Sequence, residues 1–190
     1  SPTFWGPKHA HDGYAETLKA LLNHPQYKKP LGKNQGRGVA SGFWFNGGGE
    51  STATIHVNED GTIVLATGSM DVGGSRASMA IMAAETLGVP YDSVRSTVAD
   101  TASIGYNHVT GGSRVTYATG MAVVQACQQI IRELCHRAAL MWDVKDEDVI
   151  WENGHACPAS AAVGSFEPLS LKAIAAKRAV TGGPIVTSLL

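Results

Sequence analysis

Apolar and polar positions alternate along residues 51–57, where Ala53, Ile55 and Val57 are separated by Thr54 and His56. Alternation of period two is the mark of a strand with one buried face. Asn58-Glu59-Asp60-Gly61 then reads as a tight turn and residues 62–67 as the returning strand of a hairpin. The period lengthens over residues 77–87, where Met79, Ala80, Ala83, Ala84 and Leu87 fall on one helical face. Gly88 is placed to end that helix, with Pro90 just beyond it. A short strand is predicted at 93–99. The longest helix is predicted at about 114–141, with Ala118, Ala122, Ala126, Ile130 and Leu134 stepping by four. Residues 149–152 and 155–157 read as a second pair of strands around the Asn153-Gly154 turn, and 168–178 as a further amphipathic helix.

The first 35 residues are polar and irregular, with a short helix expected at 15–22 and ended by His24-Pro25. Gly38–Phe45 reads as a strand, and Phe43, Trp44 and Phe45 read as sheet core or as an interface. Asn46-Gly47-Gly48-Gly49 reads as a loop or turn. The expected organisation is a linker-like segment at 1–35 and a domain at 36–190. A hairpin precedes the first strand–helix–strand crossover. That order favours an α+β fold, a mixed sheet with a leading β-hairpin and helices packed on it.

Composition narrows the function classes. The formal net charge is −1, which gives no electrostatic footprint for nucleic acid or an acidic membrane surface. No apolar run approaches a membrane span. The three cysteines, Cys127, Cys135 and Cys157, are odd in number and form no CxxC. They read as free thiols of a reducing compartment, and no metal site is expected from this chain alone. A start at Ser1-Pro2-Thr3 without Met and an apolar finish lead us to read the chain as a piece of a larger polypeptide.

The tetrapeptide Gly-Gly-Ser-Arg occurs twice, at Gly73–Arg76 and Gly111–Arg114, and each copy opens a predicted helix. Helix starts present unpaired N–H groups and a partial positive charge, and glycine lets backbone close on a ligand. Arg adds a planar fork suited to phosphate. The pair therefore points to one anionic ligand held from two sides. The plainer alternative is two capped helix starts, with Ser75 and Ser113 as N-caps and both arginines exposed. Neither copy is a P-loop or a GxGxxG fingerprint. Weaker candidates read as surface or loop groups: His9 and His11 as solvated, His108 and Tyr106 as loop residues, and Glu167 as a first-turn acid at a helix start.

The surrounding motifs add a resemblance. Gly36-Arg37-Gly38-Val39-Ala40, Asp60-Gly61-Thr62-Ile63-Val64, Asp71-Val72-Gly73-Gly74, residues 83–92 (AAETLGVPYD), Thr110–Thr116 and Gly120–Val123 occur in the order and spacing of one family. They resemble the molybdenum-cofactor-binding large subunit or domain of the xanthine dehydrogenase and aldehyde oxidase family. The resemblance is strongest from about Gly36 to Val124. It implies that Val72, Gly73, Gly74 and Ser75 line one side of a molybdopterin site, and Gly111, Gly112, Ser113, Arg114 and Val115 the other. The chain departs from the family at Gly74-Ser75, where Gln-Gly is usual, so the glutamine amide is missing. The resemblance further implies a cytoplasmic oxidoreductase that hydroxylates an aldehyde or N-heteroaromatic substrate with water. Its cofactor is molybdenum on molybdopterin, with or without a nucleotide. The catalytic base, the iron–sulfur and flavin modules and the rest of the chain would lie outside these residues, leaving this piece inactive alone. The residues themselves also allow a non-catalytic module that binds a phosphorylated ligand.

Overall fold

A computed structural model describes residues 13–44, 47–98 and 100–189. The chain divides into two units, Ser1–Phe43 and Trp44–Leu190. Over the described residues the first holds helices α1 (Gly13–Asn23) and α2 (Pro25–Lys28). His24 separates the two. Its backbone is extended and its Nδ1 accepts from the Gln26 N–H at 3.3 Å, capping α2. The strand expected at 38–45 does not form over its described residues. Its apolar side chains do not alternate, so no single face is available to bury. Phe43 is 88% and Trp44 71% exposed, so neither is sheet core.

The second unit carries two sheets and a helical layer. Strands β1 (Ala53–Val57), β2 (Ile63–Thr67), β3 (Val94–Val98) and β7 (Ile185–Leu189) form a mixed sheet in the order β3-β2-β1-β7. The hairpin is in register from Ala53 opposite Thr67 to Val57 opposite Ile63. Its turn is held by Asp60, whose Oδ1 accepts from the backbone and hydroxyl of Thr62. β3 runs parallel to β2, joined to it through helix α3 (Ser75–Leu87). β4 (Val149–Glu152), β5 (His155–Pro158) and β6 (Leu169–Ser170) form an antiparallel second sheet. The fold is α+β, as expected.

The long helix α4 (Gly120–Trp142) continues from a single π-helical stretch, Val115–Thr119. It lays Ala122, Val123, Ala126, Cys127, Ile130, Leu134 and Ala138 against α3 and the first sheet, where Ile55, Leu65 and Ile185 are buried. Each large aliphatic side chain so buried contributes about 1.5–3 kcal/mol. Small residues on α4 permit the close approach: a Cβ at Gly120 would lie 2.7 Å from the Met82 sulfur. Helix α3 ends at Gly88, whose φ of 70° supplies the left-handed cap.

Two expectations are corrected here. The helix expected at 168–178 is shorter and broken into α5 (Leu171–Ala175) and α6 (Arg178–Thr181). Leu169 and Ser170 are instead captured as β6 by His155 and Ala156 of β5. Ser170 then caps α5 by accepting from the Ala173 N–H, so Glu167 is not a first-turn acid. β7 was not expected at all. It pairs antiparallel with β1 and completes one side of the main sheet.

Candidate functional site

The topology gathers the glycine-rich segments at one edge of the main sheet. β1 is entered, and β2 and β3 are left, at the same end, because β1 is antiparallel to β2 and β3 parallel to it. Residues 47–52, 68–74 and 100–114 emerge there together. Open α/β sheets place ligands at the carboxyl ends of their parallel strands.

Val72, Ser75, Thr110, Gly111, Ser113, Arg114, Val115 and Thr116 line one cavity of about 260 Å³. Both tetrapeptide copies thus face a common space. Gly73, Gly74 and Gly112 do not line it. They shape the turns, with φ of 66°, 82° and 65°. A Cβ at Gly111 would meet no protein atom within 4 Å, and its backbone is not left-handed. Nothing among the described residues requires glycine at that position.

The two copies are not equivalent. In the first, the left-handed pair is Gly73-Gly74 and α3 begins at Ser75. In the second, it is Gly112-Ser113, one position later within the repeat, and the helical conformation begins at Arg114 and Val115. Ser113 holds φ of 55°, a conformation that L-residues other than Asn and Asp seldom adopt. The adjoining π-helical stretch is a second departure from regular backbone at the same place, and π-bulges concentrate at functional sites.

Neither serine caps its helix. The Ser75 hydroxyl donates to the Met70 carbonyl at 3.2 Å, and no side chain caps the second start. Asp71 caps α3 instead, its Oδ1 accepting from the Arg76 N–H at 3.0 Å. The Arg76 guanidinium lies 3.4 Å from the same carboxylate with its side chain 55% exposed.

Arg114 behaves differently and corrects the expectation of a phosphate fork. Its residue is 1% exposed. Nε donates to the Gly48 carbonyl at 2.6 Å and Nη1 to the His108 carbonyl at 3.0 Å. Nη2 reaches the Gly49 and Glu50 carbonyls and the Ser51 hydroxyl at 2.9, 2.8 and 2.6 Å. All three nitrogens are engaged within the protein, so the donors left for an anion are backbone N–H groups and hydroxyls. The segment Gly48–Ser51 is thereby bound to the second loop, and the Gly47 N–H adds a bond to the Gly112 carbonyl at 2.8 Å.

Beneath the cavity, hydroxyls of Ser51, Thr119 and Ser69 share hydrogen bonds of 3.1 and 2.7 Å, all three residues being buried. Sequence reasoning missed this trio, and placed Thr110 and Thr116 in the motif but not among the lining residues. The contacts span 50 and 68 residues and carry no local signature. His108 and Tyr106 pair with each other at 3.3 Å on the exposed loop. His9 and His11 lie outside the described residues. Among the described residues no cluster of three or more His, Cys, Asp or Glu is arranged to hold a metal. The cysteines are free, and burial pushes the Cys127 thiol up to about 12 and Cys135 to about 11. No helix among the described residues is long and apolar enough to cross a membrane.

Comparison with known proteins gives this geometry a context. The chain is 27% identical over 169 residues to the nicotine 6-hydroxylase large subunit of Paenarthrobacter nicotinovorans, covering 77% of this chain and 20% of that protein. It is 34% identical over 96 residues to the aldehyde oxidoreductase molybdenum-binding subunit PaoC of Escherichia coli, covering 50% and 13%. Its fold superimposes on a Cu,Mo-CO dehydrogenase with a TM-score of 0.65 at 22% identity, over 74% of this chain and 18% of that one. The matched part therefore spans a fifth or less of the length of these larger relatives. The family model described as molybdopterin cofactor-binding domain matches residues 14–188, and the chain belongs to that family.

Proposed function

We propose that the cavity shared by the two glycine-rich loops is where this chain grips molybdopterin. Val72 and Ser75 would hold it from one side, on the turn that Gly73 and Gly74 shape, and Gly111, Ser113, Arg114 and Val115 from the other, on the turn that Gly112 shapes. The carrying observation is that lining residues from both loops meet in one space of about 260 Å³. The residues present fit such a group. Val72 and Val115 offer apolar contact to a flat ring, and Ser75, Thr110, Ser113 and Thr116 offer hydroxyls. Gly111 leaves room where a side chain would intrude. Two helix starts contribute positive potential for a phosphate. Arg114 would act through its backbone, since its guanidinium is committed elsewhere. The molybdenum would enter with the pterin, as part of the group these loops bind.

In the whole protein the bound group would supply two-electron oxidation and oxygen transfer from water. This chain's residues would bind it, orient it and exclude solvent from one side. The names of the relatives, nicotine 6-hydroxylase and aldehyde oxidoreductase, support an N-heteroaromatic or aldehyde substrate. The general base that such a hydroxylation needs is proposed to lie in sequence beyond these residues. Iron–sulfur and flavin modules, on the same chain or on partner subunits, would receive the electrons. A cytoplasmic, reducing setting suits three free thiols.

The test is metal and pterin content. The full-length protein, produced with its partner subunits under molybdate-replete conditions, is expected to hold about one molybdenum per large chain, with a fluorescent pterin released on oxidation. Protein that holds neither would overturn the reading and leave a phosphate-binding module in its place.

A further inference from the structure

The two arginines of the repeat have opposite fates, and the difference points to how the cleft is held open. Arg76 lies on the surface beside Asp71. Arg114 is sealed inside, where it ties Gly48, Gly49, Glu50 and Ser51 to the second loop. From Ser51 the hydrogen bonds continue without a break. Ser51 Oγ meets Thr119 Oγ1 at 3.1 Å, and Thr119 Oγ1 meets Ser69 Oγ at 2.7 Å. Ser69 directly precedes Met70, whose carbonyl accepts from Ser75 on the first loop at 3.2 Å. One buried polar chain thus runs from the second loop, under the cavity, to the first. Its members are Arg114 at 1%, Ser51 at 6%, Thr119 at 0% and Ser69 at 4% exposure.

We propose that Arg114 and Thr119 are positioning residues that fix the separation of the two cofactor loops, and that the cleft's hold on molybdopterin depends on this buried chain rather than on the charge of either arginine. The proposal rests on the reading that the shared cavity is the cofactor site. Thr119 is the central link. It stands at the end of the π-helical stretch, and its hydroxyl meets both Ser51 and Ser69. Removing that hydroxyl takes from buried Ser69 its hydroxyl partner and leaves Ser51 with Arg114 alone, a more serious loss than one exposed hydrogen bond. Arg114 is the second link, because a lysine has no planar fork to span Gly48, His108 and Ser51 at once.

The experiment compares Thr119→Val, which keeps the shape without the hydroxyl, with Thr119→Ser, which keeps the hydroxyl. Arg114→Lys is the third variant. Molybdenum release from the loaded protein is followed by metal analysis at temperatures where each variant is equally folded by circular dichroism. Thr119→Val is expected to lose molybdenum about ten-fold faster than wild type, with Thr119→Ser close to wild type. Arg114→Lys is expected to behave like Thr119→Val. Should Arg114→Lys not fold, the Thr119 pair decides. Equal release from Thr119→Val and wild type, or failure of Thr119→Ser to restore retention, overturns the proposal. Amide exchange on the metal-free protein reads the same device without the cofactor. Thr119→Val is expected to speed exchange at both Gly73-Gly74 and Gly112-Ser113, and unchanged exchange at either pair contradicts it. Wild type without molybdenum would refute the cofactor reading, while the exchange result would still decide the coupling of the loops.

Discussion

Gly111→Ala separates what the protein needs in order to fold from what its cavity needs in order to bind. Gly111 lines the cavity, its backbone is not left-handed, and an added Cβ would meet no protein atom within 4 Å. Among the described residues the substitution meets no obstacle. It restricts the unfolded chain and should raise stability by about 0.4–1 kcal/mol. For a ligand filling a cavity of about 260 Å³ the new methyl is an intrusion. Overpacking of a fitted contact costs about 1–3 kcal/mol, which corresponds to binding weaker by about 5- to 150-fold. Stability and cofactor content should therefore move in opposite directions. The assay is a urea titration of the metal-free protein beside molybdenum analysis of protein purified from matched cultures. A variant that is no less stable and holds less molybdenum agrees with the account. A variant that is no less stable and fully loaded would show that the cofactor does not contact this wall.

Four further variants test the scaffold. Gly88→Ala places a Cβ 2.9 Å from the Asn153 carbonyl carbon on a residue at φ 70°. It should destabilise by more than about 2 kcal/mol, seen as a lower urea midpoint. Asp71→Ala removes the acceptor for the Arg76 N–H and should cost about 1 kcal/mol. Arg76→Ala should cost less, because only an exposed ion pair is lost. For Cys127, burial raises the folded thiol from 9.0 to about 12, so the folded state keeps a proton that the unfolded chain has released. That contribution is complete below pH 9.0, declines as the pH rises toward 12, and reaches about 4 kcal/mol at most. Cys127→Ala should flatten this alkaline decline in urea titrations across the range. An unchanged slope would refute the assignment.

Local chemistry was legible in the sequence, and long-range pairing was not. The β1–β2 hairpin followed from alternation around Asn58–Gly61, and the end of α3 followed from Gly88 and Pro90. Both signals lie within a few residues of the structure they specify. β7 escaped because its partner is β1, more than 120 residues earlier, and Ile185-Val186 alone carries no period. The helix expected to start at Pro168 began later because β5 captured Leu169 and Ser170, a choice made by tertiary pairing. At the site, the repeat was visible and its asymmetry was not. Arg76 and Arg114 occupy the same place in identical tetrapeptides. The approach of Gly48–Ser51, more than 60 residues earlier, supplies most of the acceptors that bury Arg114, and Arg76 has no such segment over it. The Gly47-Gly48-Gly49 run was read as a loop. Its role as acceptor for a buried guanidinium needed three dimensions.

The central claim is that two separate helix starts grip one cofactor, and amide hydrogen exchange on loaded and metal-free protein addresses it most directly. The account predicts that loading slows exchange at both Gly73–Ser75 and Gly111–Val115. Protection confined to one of these loops, or absent from both while molybdenum is bound, would contradict it.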